Sequence, residues 1–154
     1  MRFFVLLTLD MNKLDLLNKL NSINKGSLEK TLEIEFIDIG EDFLVAKMPV
    51  TSKVHQPDGV LHGGATAALA ESVGSAASYF SVNNNNQIIR GTMISANHLK
   101  GISKGFVYAK ASPIHKGRTT QLWKIEIKDE NDNLRLLEIN TDTACITYSD
   151  QACA

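Results

Sequence analysis

The stretch Val60-Leu61-His62-Gly63-Gly64-Ala65-Thr66-Ala67-Ala68-Leu69-Ala70-Glu71-Ser72-Val73-Gly74-Ser75-Ala76-Ala77-Ser78-Tyr79-Phe80 decides how this chain folds. It is rich in alanine and long enough for about five helical turns. Pro57 and Gly59 mark a loop before it, and Asn83 to Asn86 form a polar turn after it. Ala67, Ala68, Ala70, Gly74, Ala76 and Ala77 are small, so a sheet can approach the helix backbone closely. The stretch predicts one long buried helix that opens at His62-Gly63-Gly64.

The segments on either side read as strands. Thr31 to Phe36 and Phe43 to Val50 alternate apolar and polar residues, with a turn at Gly40-Glu41-Asp42. Beyond the helix, Ile88 to Leu99, Phe106 to Pro113, Thr119 to Lys128 and Leu134 to Tyr148 read the same way, with a hairpin turn at Asp129 to Asn133. Leu14, Leu16, Leu17 and Leu20 fit a short amphipathic helix, broken by Asn21 to Gly26. Sequential strands favour antiparallel pairing, and a single apolar helix needs a sheet to cover it. The expected class is α+β, one curved antiparallel sheet wrapped around a long central helix.

At 154 residues the chain reads as one domain that can bury a core without disulfides or metal. A net charge of -1 gives no basic excess for nucleic acid and no basic face for a membrane. Cys145 and Cys153 form no metal-spaced pair and read as reduced thiols of a cytoplasmic protein. Met1 to Leu9 is apolar but too short to span a bilayer, and no small-residue cleavage site follows it. Met11 is an alternative start, which would make residues 1–10 an N-terminal extension to a single domain over 11–154.

Between Asp58 and Arg90, Glu71 is the only formally charged side chain. A carboxylate inside an apolar helix is costly unless it is paired, hydrogen-bonded or protonated. Burial of a carboxyl also suits a general base or nucleophile working near neutral pH. Ser75 lies four residues on, so both side chains share a helix face. At the helix start, two glycines admit another molecule to the backbone, where first-turn amides and the helix dipole favour negative charge. That is an oxyanion site for a carbonyl under attack. Gln56 could hold a water or the carboxylate, and His62 could donate to the carbonyl oxygen or cap the helix. Gly63 and Glu71, eight residues apart, are separated by about 12 Å along one helix. One carbonyl carbon cannot sit about 3 Å from both, so the expected protein is a homo-oligomer with a shared active site.

The residues His55-Gln56-Pro57-Asp58-Gly59-Val60-Leu61-His62-Gly63-Gly64, continued by Ala70-Glu71-Ser72-Val73-Gly74-Ser75, resemble the signature of the hotdog-fold thioesterases. Within them the chain is most similar to the PaaI-like and aroyl-CoA branch, which includes 1,4-dihydroxy-2-naphthoyl-CoA and enterobactin-proofreading thioesterases. The resemblance covers Leu14 to Ile146. It implies hydrolysis of an aromatic or medium-chain acyl-CoA, with CoA as part of the substrate and no separate cofactor or metal. It implies that Glu71 is the catalytic carboxylate and Gln56 places the water or carboxylate. His62 and the Gly63 amide would polarise the thioester, and Ser75 would stand one turn beyond the acid. It further implies CoA contacts at Gly91, at Asn97-His98-Leu99-Lys100-Gly101 and at His115-Lys116-Gly117-Arg118-Thr119-Thr120, and a tetramer built as a dimer of dimers. Lys100, Lys116 and Arg118 suit phosphate groups, and Gly117 permits a close backbone approach.

Two other activities fit the same motif less well. A hydroxyacyl-thioester dehydratase or hydratase would want a His paired with an acid, and His62 sits in the oxyanion position. A non-catalytic acyl-CoA-binding protein would usually carry an added DNA-binding segment, for which the chain has no spare length or basic helix.

Overall fold

In the computed structural model, the described residues are 2–23, 26–82 and 89–141, with the backbone alone for 2–11 and 137–141. Helix α1 (Arg2–Ile23) leads to a single helical turn, α2 (Leu28–Thr31), and then to strands β1 (Glu35–Gly40) and β2 (Phe43–Val50). The long helix α3 (Gly63–Ser81) follows, then β3 (Met93–His98), β4 (Gly105–Lys116), β5 (Gln121–Asp129) and β6 (Leu134–Thr141). The strands form one six-stranded sheet in the order β1-β2-β4-β5-β6-β3, antiparallel at every pairing.

Period-two patterning builds the inner face of the sheet. Leu44, Ala46, Met48 and Val50 of β2 are buried, as are Trp123, Ile125 and Ile127 of β5. Between them β4 contributes Val107, Ala109 and Ala111, so a trough of small side chains runs down the centre. Helix α3 lies in it, with Leu69, Ala70, Val73 and Ala77 buried, and packs against β2, β3, β4, β5 and β6. Of the small helix residues, Ala70, Gly74 and Ala77 are buried; Ala67, Ala68 and Ala76 are half-buried, with Ala76 packed against the core. Trp123 Nε1 donates to the buried Ser78 Oγ at 2.7 Å, a polar pin between sheet and helix.

The two sheet edges differ. Along β1, Asn21 Oδ1 accepts from the Phe36 amide and Asn21 Nδ2 donates to the Phe36 carbonyl, each at 2.9 Å. A bulge between Phe36 and Asp38 and an ion pair from Lys13 to Asp38 complete the cover. Strand β3, at the other edge, is paired on one side only, with Met93 58% and Ile94 40% exposed.

Several boundaries differ from the sequence expectation. The first strand begins at Glu35 rather than Thr31, because Ser27 starts the turn Leu28–Thr31 and Glu33 takes a left-handed φ of 58°. The first helix runs Arg2–Ile23, continuous through residues expected as an extension. Strand β3 is confined to Met93–His98, and Thr119 and Thr120 fall in the turn before β5. The turn at Asn83 to Asn86, the strand beyond Thr141 and both cysteines lie outside the described residues.

Candidate active site

The loop before α3 is set by its own backbone bonds. The Gln56 amide donates to Val60 O and the Gly59 amide to Gln56 O, both at 2.9 Å, closing a turn in which Gly59 has φ 82°. A side chain there would be strained, so glycine is favoured. Leu61 N donates to Ile102 O and His62 N to Val54 O, each at 2.8 Å, fixing where α3 begins.

His62 is the N-cap. Its Nδ1 accepts from the Gly64 amide at 2.8 Å, and its carbonyl accepts from the Ala65 and Thr66 amides at 3.0 and 3.1 Å. The Gly63 amide, at the positive end of the helix dipole, has no partner among the described residues. An imidazole whose Nδ1 accepts carries its proton on Nε2, so neutral His62 is a donor at its exposed edge.

Gly63 borders a groove of about 570 Å³ whose walls include Gln56, His98, Leu99, Lys100, Gly101 and Arg135. The His98 ring lies so close to Gly63 that an added Cβ would meet it at 3.1 Å. Arg135 was not foreseen from sequence. Its carbonyl accepts from Leu99 N at 2.9 Å and Lys100 N at 3.3 Å, and its Nη1 donates to Gly101 O at 3.2 Å. The rest of the guanidinium is bound to buried Asp129, which also accepts from the amides of Asn131 and Asn133 at 2.9 Å. The Arg135 guanidinium holds the Asp129 carboxyl well below the usual carboxylate range; burial opposes this, and the Asn133 and Asn131 bonds add to it.

Glu71 does not line that groove. It is half-buried, accepts from Ser75 Oγ at 3.2 Å, and lies against the backbone of Gly91. Among the described residues it has no ion pair. The next residue, Ser72, donates to Glu29 at 3.2 Å and fastens α2 to α3. Burial raises the Glu29 pKa, but bonds from Ser27, its own backbone and Ser72 outweigh that and lower it.

The two segments expected to contact CoA stand apart within the protomer. Asn97 to Gly101 precedes the start of β4, whereas His115 to Thr120 lies at its far end, roughly 35 Å away at strand rise. In the second segment the Gly117 amide donates to Thr120 O at 2.9 Å. Lys116 is engaged within the protomer, paired to Asp42 at 2.6 Å and donating to Glu41 O at 3.3 Å. Lys100 and Arg118 are exposed and have no ion pair among the described residues. No group of three or more His, Cys, Asp or Glu among the described residues could hold a metal ion.

The sheet wrapped around one long helix has counterparts in known proteins. Residues 58–135 match the profile of the thioesterase superfamily. The proofreading thioesterase EntH of Cronobacter turicensis is 46% identical over 114 residues, 74% of this chain and 82% of the relative. The 1,4-dihydroxy-2-naphthoyl-CoA hydrolase of Escherichia coli is 42% identical over 118 residues, 77% of this chain and 86% of the relative. Among solved structures, a mutant of the Pseudomonas aeruginosa thioesterase PA1618 superimposes with a TM-score of 0.82 at 39% identity, covering 85% of this chain and 94% of that one.

The chain therefore belongs to the thioesterase superfamily and has the hotdog fold, with its six-stranded antiparallel sheet around α3. It is a thioester hydrolase.

Proposed function

We propose that this thioesterase hydrolyses aromatic or medium-chain acyl-CoA to the free acid and CoA. The carrying observation is the Gly63 amide, without a partner among the described residues, at the head of the helix that holds Glu71. The thioester oxygen takes a hydrogen bond from that amide and from His62 Nε2–H, which stabilise the charge that grows on it. Glu71, held by Ser75, either draws the proton from a water placed with Gln56 or attacks the carbonyl itself. His62 spends its acceptor nitrogen on the cap, which leaves it a donor and disfavours the base role that a dehydratase would need. Lys100 and Arg118 supply charge for the CoA phosphates. No separate cofactor enters this reading, and we place the protein in the cytoplasm on its cysteine usage.

The site is shared between protomers in this reading. Gly91, beside Glu71, precedes β3; His98, beside Gly63, ends it. Antiparallel pairing of two β3 edges about a twofold axis would set the start of one strand against the end of the other. Glu71 of one copy would then face Gly63 of the next. The separation of the two CoA segments along β4 favours a further pairing, a dimer of dimers.

A thiol-release assay over aroyl, phenylacetyl and fatty acyl-CoA tests the chemistry. Glu71→Gln is expected to lower kcat by roughly a thousandfold or more while the fold survives. Near-normal rates on every active substrate would overturn the assignment.

A further inference from the structure

We propose that Gly91 is a positioning residue that seats the Glu71 carboxylate, a role that rests on Glu71 being the catalytic acid. A Cβ added at Gly91 would fall on Oε1, Oε2 and Cδ of Glu71, and these are its three nearest atoms. The overlap is with the movable end of the Glu71 side chain, so what a Cβ would displace is the carboxylate itself. Backbone freedom does not explain the glycine, because its φ lies outside the left-handed region. Packing does not explain it either, because Gly91 is exposed and precedes β3.

The carboxylate is thus located from two sides. Ser75 Oγ holds Oε1 from the same helix, one turn on. The bare backbone of Gly91 lets that same oxygen, the Glu71 atom nearest to it, settle against the chain entering the edge strand. Any side chain there would force Glu71 to another rotamer, at a site where misplacement of about 1 Å costs roughly a hundredfold in rate.

The test is a double-mutant cycle with two readouts. Gly91→Ala is expected to lower kcat by at least roughly tenfold, with KM for acyl-CoA within about twofold of wild type. Glu71→Asp shortens the acid by one methylene and makes room, so Gly91→Ala should cost less than about threefold in that background. Thermal unfolding supplies an activity-independent arm. Gly91→Ala should leave the Tm of Glu71→Ala unchanged, because the clashing carboxylate is gone.

Raised KM with unchanged kcat would make Gly91 a substrate contact and overturn the proposal. An equal rate loss in the Glu71→Asp background, or a lower Tm on top of Glu71→Ala, would overturn it as well. Failure of the underlying reading looks different: Glu71→Gln would then keep its rate whatever stands at position 91.

Discussion

His62 Nδ1 accepts the amide hydrogen of Gly64 at 2.8 Å, and that one bond separates two roles of the same ring. The inner nitrogen caps α3; the outer nitrogen is left to donate. His62→Ala should lose both, with about 1 kcal/mol of stability gone with the cap. His62→Asn keeps an acceptor for the Gly64 amide and removes the outer N–H. Its Tm should stay near wild type while kcat falls by roughly a hundredfold. Paired melting and rate measurements on the two variants check this; a fully active His62→Asn enzyme would remove His62 from the chemistry.

Ser75 offers a gentler test. Its hydroxyl donates to Glu71 Oε1 at 3.2 Å from one turn away. Ser75→Ala should lower kcat by up to about tenfold without changing KM, far less than loss of the carboxylate. Ser75→Thr retains the hydroxyl and should recover most of the rate. Equal loss in both variants would point to crowding of the helix face instead.

Asp129 predicts how stability changes with pH. Its carboxyl is held below the usual range by Arg135, with Asn133 and Asn131 assisting against burial. A depressed folded pKa adds stability that is complete above the unfolded value, near pH 4, and drains away as pH falls toward the folded one. Asp129→Asn should therefore melt below wild type at neutral pH. The difference should narrow as pH is lowered from about 4 to about 2. A gap that stays constant across that window would assign the effect to packing.

The β3 edge, paired on one side only among the described residues, makes assembly testable. Met93→Lys with Ile94→Lys places charge on side chains already exposed in the protomer. Sedimentation should show the β3-paired assembly split into smaller species, and activity should vanish with it. Mixing subunits also reads the site directly. Glu71→Ala and a subunit disabled at His62, unfolded and refolded together, should recover roughly a quarter of wild-type activity if each site draws one residue from each copy. No recovery would mean that the site lies within one protomer.

The parts of the fold that were legible in the sequence are those a single period describes. Helix α3 and strands β2 and β5 follow their alternation almost residue for residue. The first strand was misplaced because alternation is blind to the Ser27 start of a helical turn and to the left-handed Glu33. At the site, His62, Gly63, Glu71 and Ser75 share one helix, so spacing alone related them. Arg135 was invisible for the opposite reason: sheet pairing brings it to Gly101 across 34 positions. Lys116 likewise looked like a free cation until its partner Asp42 arrived from 74 positions away.

The two Asn21 bonds to Phe36 reach beyond the strand they cover. A subunit with two reactive ends polymerises; a subunit with one can only be terminated. By occupying the amide and carbonyl of Phe36, Asn21 blocks strand addition at that point of β1 and biases each protomer toward one reactive edge. Whatever adds at β3 then meets a blocked point at the far edge, which opposes further growth by strand addition. A single asparagine thus acts as a chain stopper, keeping a sheet-edge contact from becoming the first step of a fibre.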